Sequence, residues 1–159
     1  MKIIIFDLDQ TLYNTYINMK YTDIKYDEDL DVLMNMDHPI YIFSNATYGH
    51  VEDVCDKLQI RKYIREIFSR DTLYDMKPNK KCYWKVQNKI YKNGEIELLT
   101  LNEFIFFDDL LENLYMAKSL GWITVWIHPE STKVSYEYLD YQYTDIKQAL
   151  LDMKTKSII

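Results

Sequence analysis

The chain is punctuated by short apolar runs that end in polar groups: KIIIF runs into DLD, PIYIF into SN, and NEFIFF into DD. Continuous runs rich in β-branched and aromatic residues, four to six long, suit strands buried on both faces of a parallel sheet. IREIFSR and GWITVWIHP add two more runs of this kind, and YLDYQYTD a weaker one. Between them lie segments with helical spacing. DEDLDVLMNM places Leu30, Leu33 and Met34 on one face, with acids at its start, and Pro39 is expected to end it. HVEDVCDKLQI places Val51, Val54, Cys55 and Leu58 at i, i+3, i+4 and i+7. KPNKKCYWKVQNKIYKNG reads as a helix closing at Gly94, LLENLYMAKSLG as one capped by Gly121, and IKQALLDMK as a closing helix. Strand and helix alternate throughout. The expectation is an α/β fold: a doubly wound, Rossmann-like parallel sheet with helices on both faces, forming one domain over residues 1–159. Residues 13–28 are polar and aromatic without a period, and read as a loop or flap.

Composition removes several classes of function. With 159 residues, 48% apolar and 28% charged, the chain suits one soluble domain with a core of its own. A net charge of −6 argues against a nucleic-acid backbone as partner, because a polyanion needs a basic face. Cys55 and Cys82 have no metal-type spacing, Cys55 falls on an apolar helix face, and nothing points to a disulfide or an oxidising compartment. No window approaches the ~18 apolar residues of a membrane span. The apolar run Ile3–Phe6 is too short for a signal peptide and is followed by acids. A cytoplasmic location is expected, in a host's cytoplasm if the source is viral. Fifteen tyrosines and three glycines suit an AT-rich genome. Whether the chain forms a homodimer is left open.

In parallel α/β sheets ligands bind beyond the carboxyl ends of the strands, which is where the polar groups fall here. Asp7 and Asp9 are two residues apart, so in an extended chain they lean to one side. Asp108 and Asp109 would join them from another strand. Four acids at one point need compensation, and a hard divalent cation with oxygen ligands, Mg²⁺ above all, supplies it. Lys77 and the Ser44 hydroxyl would then serve a phosphate.

These stretches resemble a known family. DLDQT at 7–11, Ser44 after IYIF, Lys77 in DMKPNK and Asp108–Asp109 after FIFF match, in order, the four motifs of the haloacid dehalogenase-like (HAD) hydrolase superfamily. The match runs from about residue 2 to about residue 128, and the remainder resembles the superfamily's last strand and helix. FDLDQTLY, SNATYGH and FFDDLLEN look most like its pyrimidine 5′-nucleotidase branch.

The resemblance implies a Mg²⁺-dependent phosphomonoester hydrolase acting on a small phosphorylated substrate such as a nucleoside 5′-monophosphate. It makes Asp7 the nucleophile and Asp9 the acid and base, with the Asp9 backbone carbonyl on the metal. Asp109 is the favoured direct metal ligand, beside Asp7, with Asp108 direct or through water. Ser44 and the Asn45 N–H would hold phosphate, with the backbone N–H groups around Leu8 and Asp9, and Lys77 would neutralise both phosphate and Asp7. Members that cleave carbon–halogen bonds lack an acid at the position of Asp9, which favours phosphoryl transfer. Only residues 12–43 separate the first two motifs, too few for a full helical cap, so 13–28 is expected to form a flap or minimal cap.

Other readings stand beside this one. A capless protein phosphatase of the same superfamily would share the motifs. A receiver-like signalling domain has its phosphoacceptor on a middle strand, where this chain has no aspartate. A non-catalytic binding protein would not be expected to keep Asp7, Asp9, Lys77 and Asp109. Residue by residue, Ser44 and Asn45 also fit a helix N-cap, Lys77 a solvated loop, and Asp108–Asp109 a cap for the next helix. Asn113 is expected to support the acidic loop. His50, close after SNATYG, reads as a surface or capping histidine, with substrate contact as the alternative; His38 and His128 read as structural, and Trp84, Trp122 and Trp126 as core. Tyr13, Tyr16 and Tyr48 are the aromatic candidates for substrate contact.

Overall fold

A computed structural model of the chain describes residues 2–16, 18–92 and 103–159. Six strands form one fully parallel sheet: β1 (Lys2–Phe6), β2 (Ile40–Phe43), β3 (Ile64–Phe68), β4 (Glu103–Asp108), β5 (Ile123–Ile127) and β6 (Tyr141–Tyr143), in the order β3-β2-β1-β4-β5-β6. The order reverses between β1 and β4, the position where a doubly wound sheet opens a crevice at its carboxyl edge.

The continuous apolar runs are explained by burial on two sides. In β1, Ile4 and Phe6 face one layer while Ile3 and Ile5 face the other, and all four are buried. The first layer packs against α1 (Glu28–Met34), α2 (Tyr48–Lys57) and α6 (Ile146–Thr155). The second packs against the short α3 (Arg70–Leu73), α4 (Lys80–Lys92) and α5 (Leu111–Ser119). Phe43, Tyr83, Phe106 and Trp122 interlock edge-on in that second layer, with ring centroids 5.1–6.2 Å apart.

The helix starts follow local chemistry. Asp27, Thr47 and Asp145 cap α1, α2 and α6 by accepting from the N–H groups of Leu30, His50 and Gln148. The α2 cap is therefore Thr47 and not Ser44 or Asn45. α2 ends in a Schellman turn: the Ile60 N–H reaches the Cys55 carbonyl, the Gln59 N–H that of Asp56, and Gln59 sits at φ +57°. α1 stops at Met34, well before Pro39. α3, one turn long, carries no clear periodic signal in the sequence. The expected helix end at Gly94 lies outside the described residues.

Trp122 and Trp126 are buried as expected, but Trp84 is half-exposed beneath the Lys80 ammonium. The buried face of α4 is Cys82, Tyr83, Val86 and Ile90, and Trp84 lies off that stripe. Between the first two motifs the described residues form a 3₁₀ turn at Tyr21–Asp23, then α1 and β2, and no separate helical bundle. Tyr13 and Ile24 bury their side chains in the first layer. Among the described residues no helix is long and apolar enough to cross a membrane.

Candidate active site

The carboxyl ends of β1, β2 and β4 deliver the polar residues to one place. Asp7 follows β1 directly, and its N–H still pairs with the Phe107 carbonyl at 2.8 Å. Asp108 ends β4 and Asp109 follows it. One carboxylate oxygen from each of Asp7, Asp108 and Asp109 lies within 4.8 Å of the other two. Asp108 is fully buried, Asp7 nearly so, and Asp109 half-buried.

Lys77 enters from the loop before α4, buried to 5% exposure, with its ammonium over the rings of Phe43 and Phe106. It donates to Asp7 Oδ1 at 2.8 Å and Asp108 Oδ2 at 2.7 Å. It is therefore not a solvated loop lysine. Burial would pull its pKa down, but Asp108 and Asp7 outweigh burial and hold it above the ordinary lysine range. One cation against three acids leaves a net negative charge in a poorly solvated space. Burial, offset in part by Lys77 and reinforced by Asp108, pushes the Asp7 carboxyl up to about 7. Burial, then Asp108 and Asp7, pushes Asp109 up to about 7 as well. Three hard oxygen donors with uncompensated charge fit a divalent cation.

Supporting residues fix these groups. Thr11 donates to Asp7 Oδ2 at 3.1 Å, so both Asp7 oxygens have a partner. Asn113 donates its amide to both oxygens of Asp108, at 3.1 and 3.0 Å, and the Leu110 N–H donates to Asp108 Oδ1 at 2.8 Å. Asn113 thus holds the acidic loop from α5, as expected, and its own Oδ1 is buried without a partner among the described residues. The Asn45 side chain pairs with the Lys77 backbone, accepting from its N–H at 2.7 Å and donating to its carbonyl at 3.0 Å. Ser44 is buried at the end of β2, and its Oγ accepts from the Ala46 N–H at 3.1 Å, which leaves its proton free to donate. The Leu8 side chain is core, and its N–H turns toward the Asp7 carboxyl, so Leu8 offers a site only through its backbone. A cavity of about 350 Å³ is bordered by Asp7, Asp9, Ser44, Asn45, Lys77 and Asp109.

Asp9 borders this cavity, but its carboxyl does not join the other three. β1 stops at Phe6, the Thr11 and Leu12 N–H groups turn back to the Leu8 carbonyl, and Gln10 takes a left-handed conformation at φ +63°. The alternation expected of an extended chain is lost at that turn. Asp9 Oδ1 instead meets the Tyr13 hydroxyl, the Tyr21 hydroxyl at 3.2 Å and His50 Nε2 at 2.8 Å. Three acids converge, not four, and any contact of Asp9 with a cation falls to its backbone.

His50 is therefore no mere surface or capping residue; its sequence signal is only its place shortly after SNATYG. Tyr21 lay within the aperiodic flap and had no signal of its own. Of the aromatic candidates, Tyr13 touches Asp9, Tyr16 packs edge-on against His128, and Tyr48 bonds Glu52 on its own helix, away from the cavity. His128 stacks on Trp126 and accepts from the Glu130 N–H, a structural role.

No protein-family model matches the sequence, and neither does any curated protein. Solved structures do match in shape. A HAD phosphatase from Thermococcus onnurineus is 14% identical, with 99% of this chain and 98% of that one covered and a TM-score of 0.69. An L-2-haloacid dehalogenase is 12% identical, with coverage of 97% and 99% and a TM-score of 0.71. The HAD hydrolase YfnB from Bacillus subtilis, bound to magnesium, is 15% identical with a TM-score of 0.62. Of that protein's chain 55% is matched, and of another dehalogenase 52%, so this chain spans about half the length of several structures it resembles. At these identities the likeness is one of fold.

Proposed function

On the haloacid dehalogenase-like fold that this chain has, we propose a phosphomonoester hydrolase that works through an aspartyl-phosphate on Asp7. The observation that carries this reading is the pairing of two aspartates with different surroundings. Asp7 is held by Lys77 and Thr11 among buried acids, as a nucleophile must be. Asp9, on the same cavity, is held by neutral hydroxyls and an imidazole, as a proton carrier can be. A halide leaves without a proton, whereas an ester oxygen needs one, so Asp9 favours phosphate esters.

An Asp7 oxygen attacks phosphorus and the bond to the ester oxygen breaks. Asp9 gives that oxygen its proton, and the alcohol departs. Asp9 then takes a proton from water as the water attacks the aspartyl-phosphate, freeing inorganic phosphate and the Asp7 carboxylate. Ser44 and the backbone N–H of Asn45 bind phosphate oxygens, and Lys77 balances charge between phosphate and Asp7. Asp7 and Asp109, with Asp108 behind them, would hold Mg²⁺, which neutralises the repulsion between an anionic nucleophile and an anionic ester. The substrate is a small phosphorylated metabolite, with nucleoside 5′-monophosphates as the first class to test.

The experiment is phosphate release with Mg²⁺ from nucleoside monophosphates, sugar phosphates and phosphopeptides, with Asp7→Asn as control. Turnover lost in Asp7→Asn and in chelator supports the reading. Turnover of phosphopeptides alone would point to a protein phosphatase. Silence across the panel, or full activity in Asp7→Asn, would overturn it.

A further inference from the structure

The three donors around Asp9 all meet the same oxygen. Tyr13, Tyr21 and His50 each reach Oδ1, and among the described residues Oδ2 has no partner. They come from separate places: Tyr13 opens the flap, Tyr21 begins its 3₁₀ turn, and His50 lies in the first turn of α2. Their rings brace one another, Tyr21 edge-on to His50 at 5.1 Å and to Tyr13 at 5.9 Å. A carboxylate only accepts hydrogen bonds, so His50 donates to it from Nε2–H. When Oδ2 carries a proton, Oδ1 is the carbonyl oxygen and still accepts. The brace therefore fits both states of Asp9 with the oxygens in the same roles.

Building on the reading of Asp9 as acid and base, we propose that His50, together with Tyr21, is a positioning residue. It saturates Oδ1 and leaves Oδ2 as the oxygen that gives the proton to the leaving group and recovers it from water. Without the imidazole the carboxyl can turn about its Cβ–Cγ bond, and a misplacement of about 1 Å costs on the order of a hundredfold in rate.

The test compares kcat/KM for two esters in wild type, His50→Ala and His50→Gln. An alkyl phosphate needs a proton on its leaving oxygen, while p-nitrophenyl phosphate releases a stable anion. His50→Ala should lose about a hundredfold on the alkyl ester and under about tenfold on the aryl ester. Gln, whose amide nitrogen replaces Nε2, should restore most of the loss. Equal losses on both esters, or none, overturn the proposal while leaving the hydrolase reading intact. Wild-type silence on both esters overturns that reading instead. Ring ¹⁵N–¹H correlation spectra of the metal-free protein then judge the contact itself. A slowly exchanging Nε2–H on His50 that vanishes in Asp9→Ala supports it, and its absence in wild type overturns the proposal without any turnover.

Discussion

In the metal-free protein, stability should rise as the solution is made mildly acidic. Asp7 ionises at about 3.8 when unfolded and at about 7 in the folded chain, and Asp109 is raised to about the same value. A carboxyl whose folded pKa is raised binds its proton more tightly in the native state. Its contribution is therefore unfavourable above the folded pKa and is relieved as pH falls toward the unfolded value. For Asp7 the rise is about three pH units, an upper bound of about 4 kcal/mol at about 1.36 kcal/mol per unit. Lys77 stays charged beside Asp7 and Asp108, so the first proton relieves most of the repulsion and a second adds less.

Between about pH 7.5 and about pH 5 the gain should be about 2–3 kcal/mol, or roughly 5–10 °C in Tm for a chain of this size. Thermal melts in EDTA across that range test it, with the Asp7→Asn/Asp109→Asn double variant as reference. The reference removes the background from groups such as His38, whose pKa burial lowers and which acts in the opposite direction. Saturating Mg²⁺ should hold the acids ionised and flatten the profile. A metal-free Tm that falls on acidification relative to the double variant, or an equal slope in both, would refute the account of a charge-strained acid cluster.

Three further outcomes can be checked with simple variants. Asn45→Ala removes two hydrogen bonds to the Lys77 backbone and should cost about 1–3 kcal/mol in a denaturant melt, with a fall in phosphate turnover as Lys77 loses its position. Gln59→Gly replaces a side chain in the left-handed position of the α2 Schellman turn and should raise stability by about 0.5–1 kcal/mol, read as a Tm increase of a few degrees. Cys55 and Cys82 are buried, and burial first among causes pushes both thiols up to about 12. A disulfide reagent at neutral pH should therefore react with neither until the chain unfolds.

The fold was legible because both of its signals are local. Runs such as IIIF and FIFF are apolar at every position only because Ile3 and Ile5 face one helical layer and Ile4 and Phe6 the other, with Phe104 to Phe107 alternating in the same way. The acids were legible because they directly follow those runs. Asp9 misled the alternation argument because the strand stops three residues before it, at Phe6, and Gln10 turns the chain. His50 and Tyr21 were not legible as partners of Asp9, because 41 and 12 residues separate them from it and only tertiary packing joins them. Trp84 was misplaced because residue type favoured the core while its position around α4 pointed outward.

Covalent phosphorylation of Asp7 is what sets the proposed mechanism apart from direct attack by water. Borohydride reduces an aspartyl-phosphate to homoserine, so the direct measurement is peptide mass spectrometry of protein quenched with borohydride during turnover of p-nitrophenyl phosphate with Mg²⁺. Homoserine is expected at position 7, in amounts that fall as substrate is exhausted. Steady turnover with Asp7 unmodified, or the label on another residue, would contradict it.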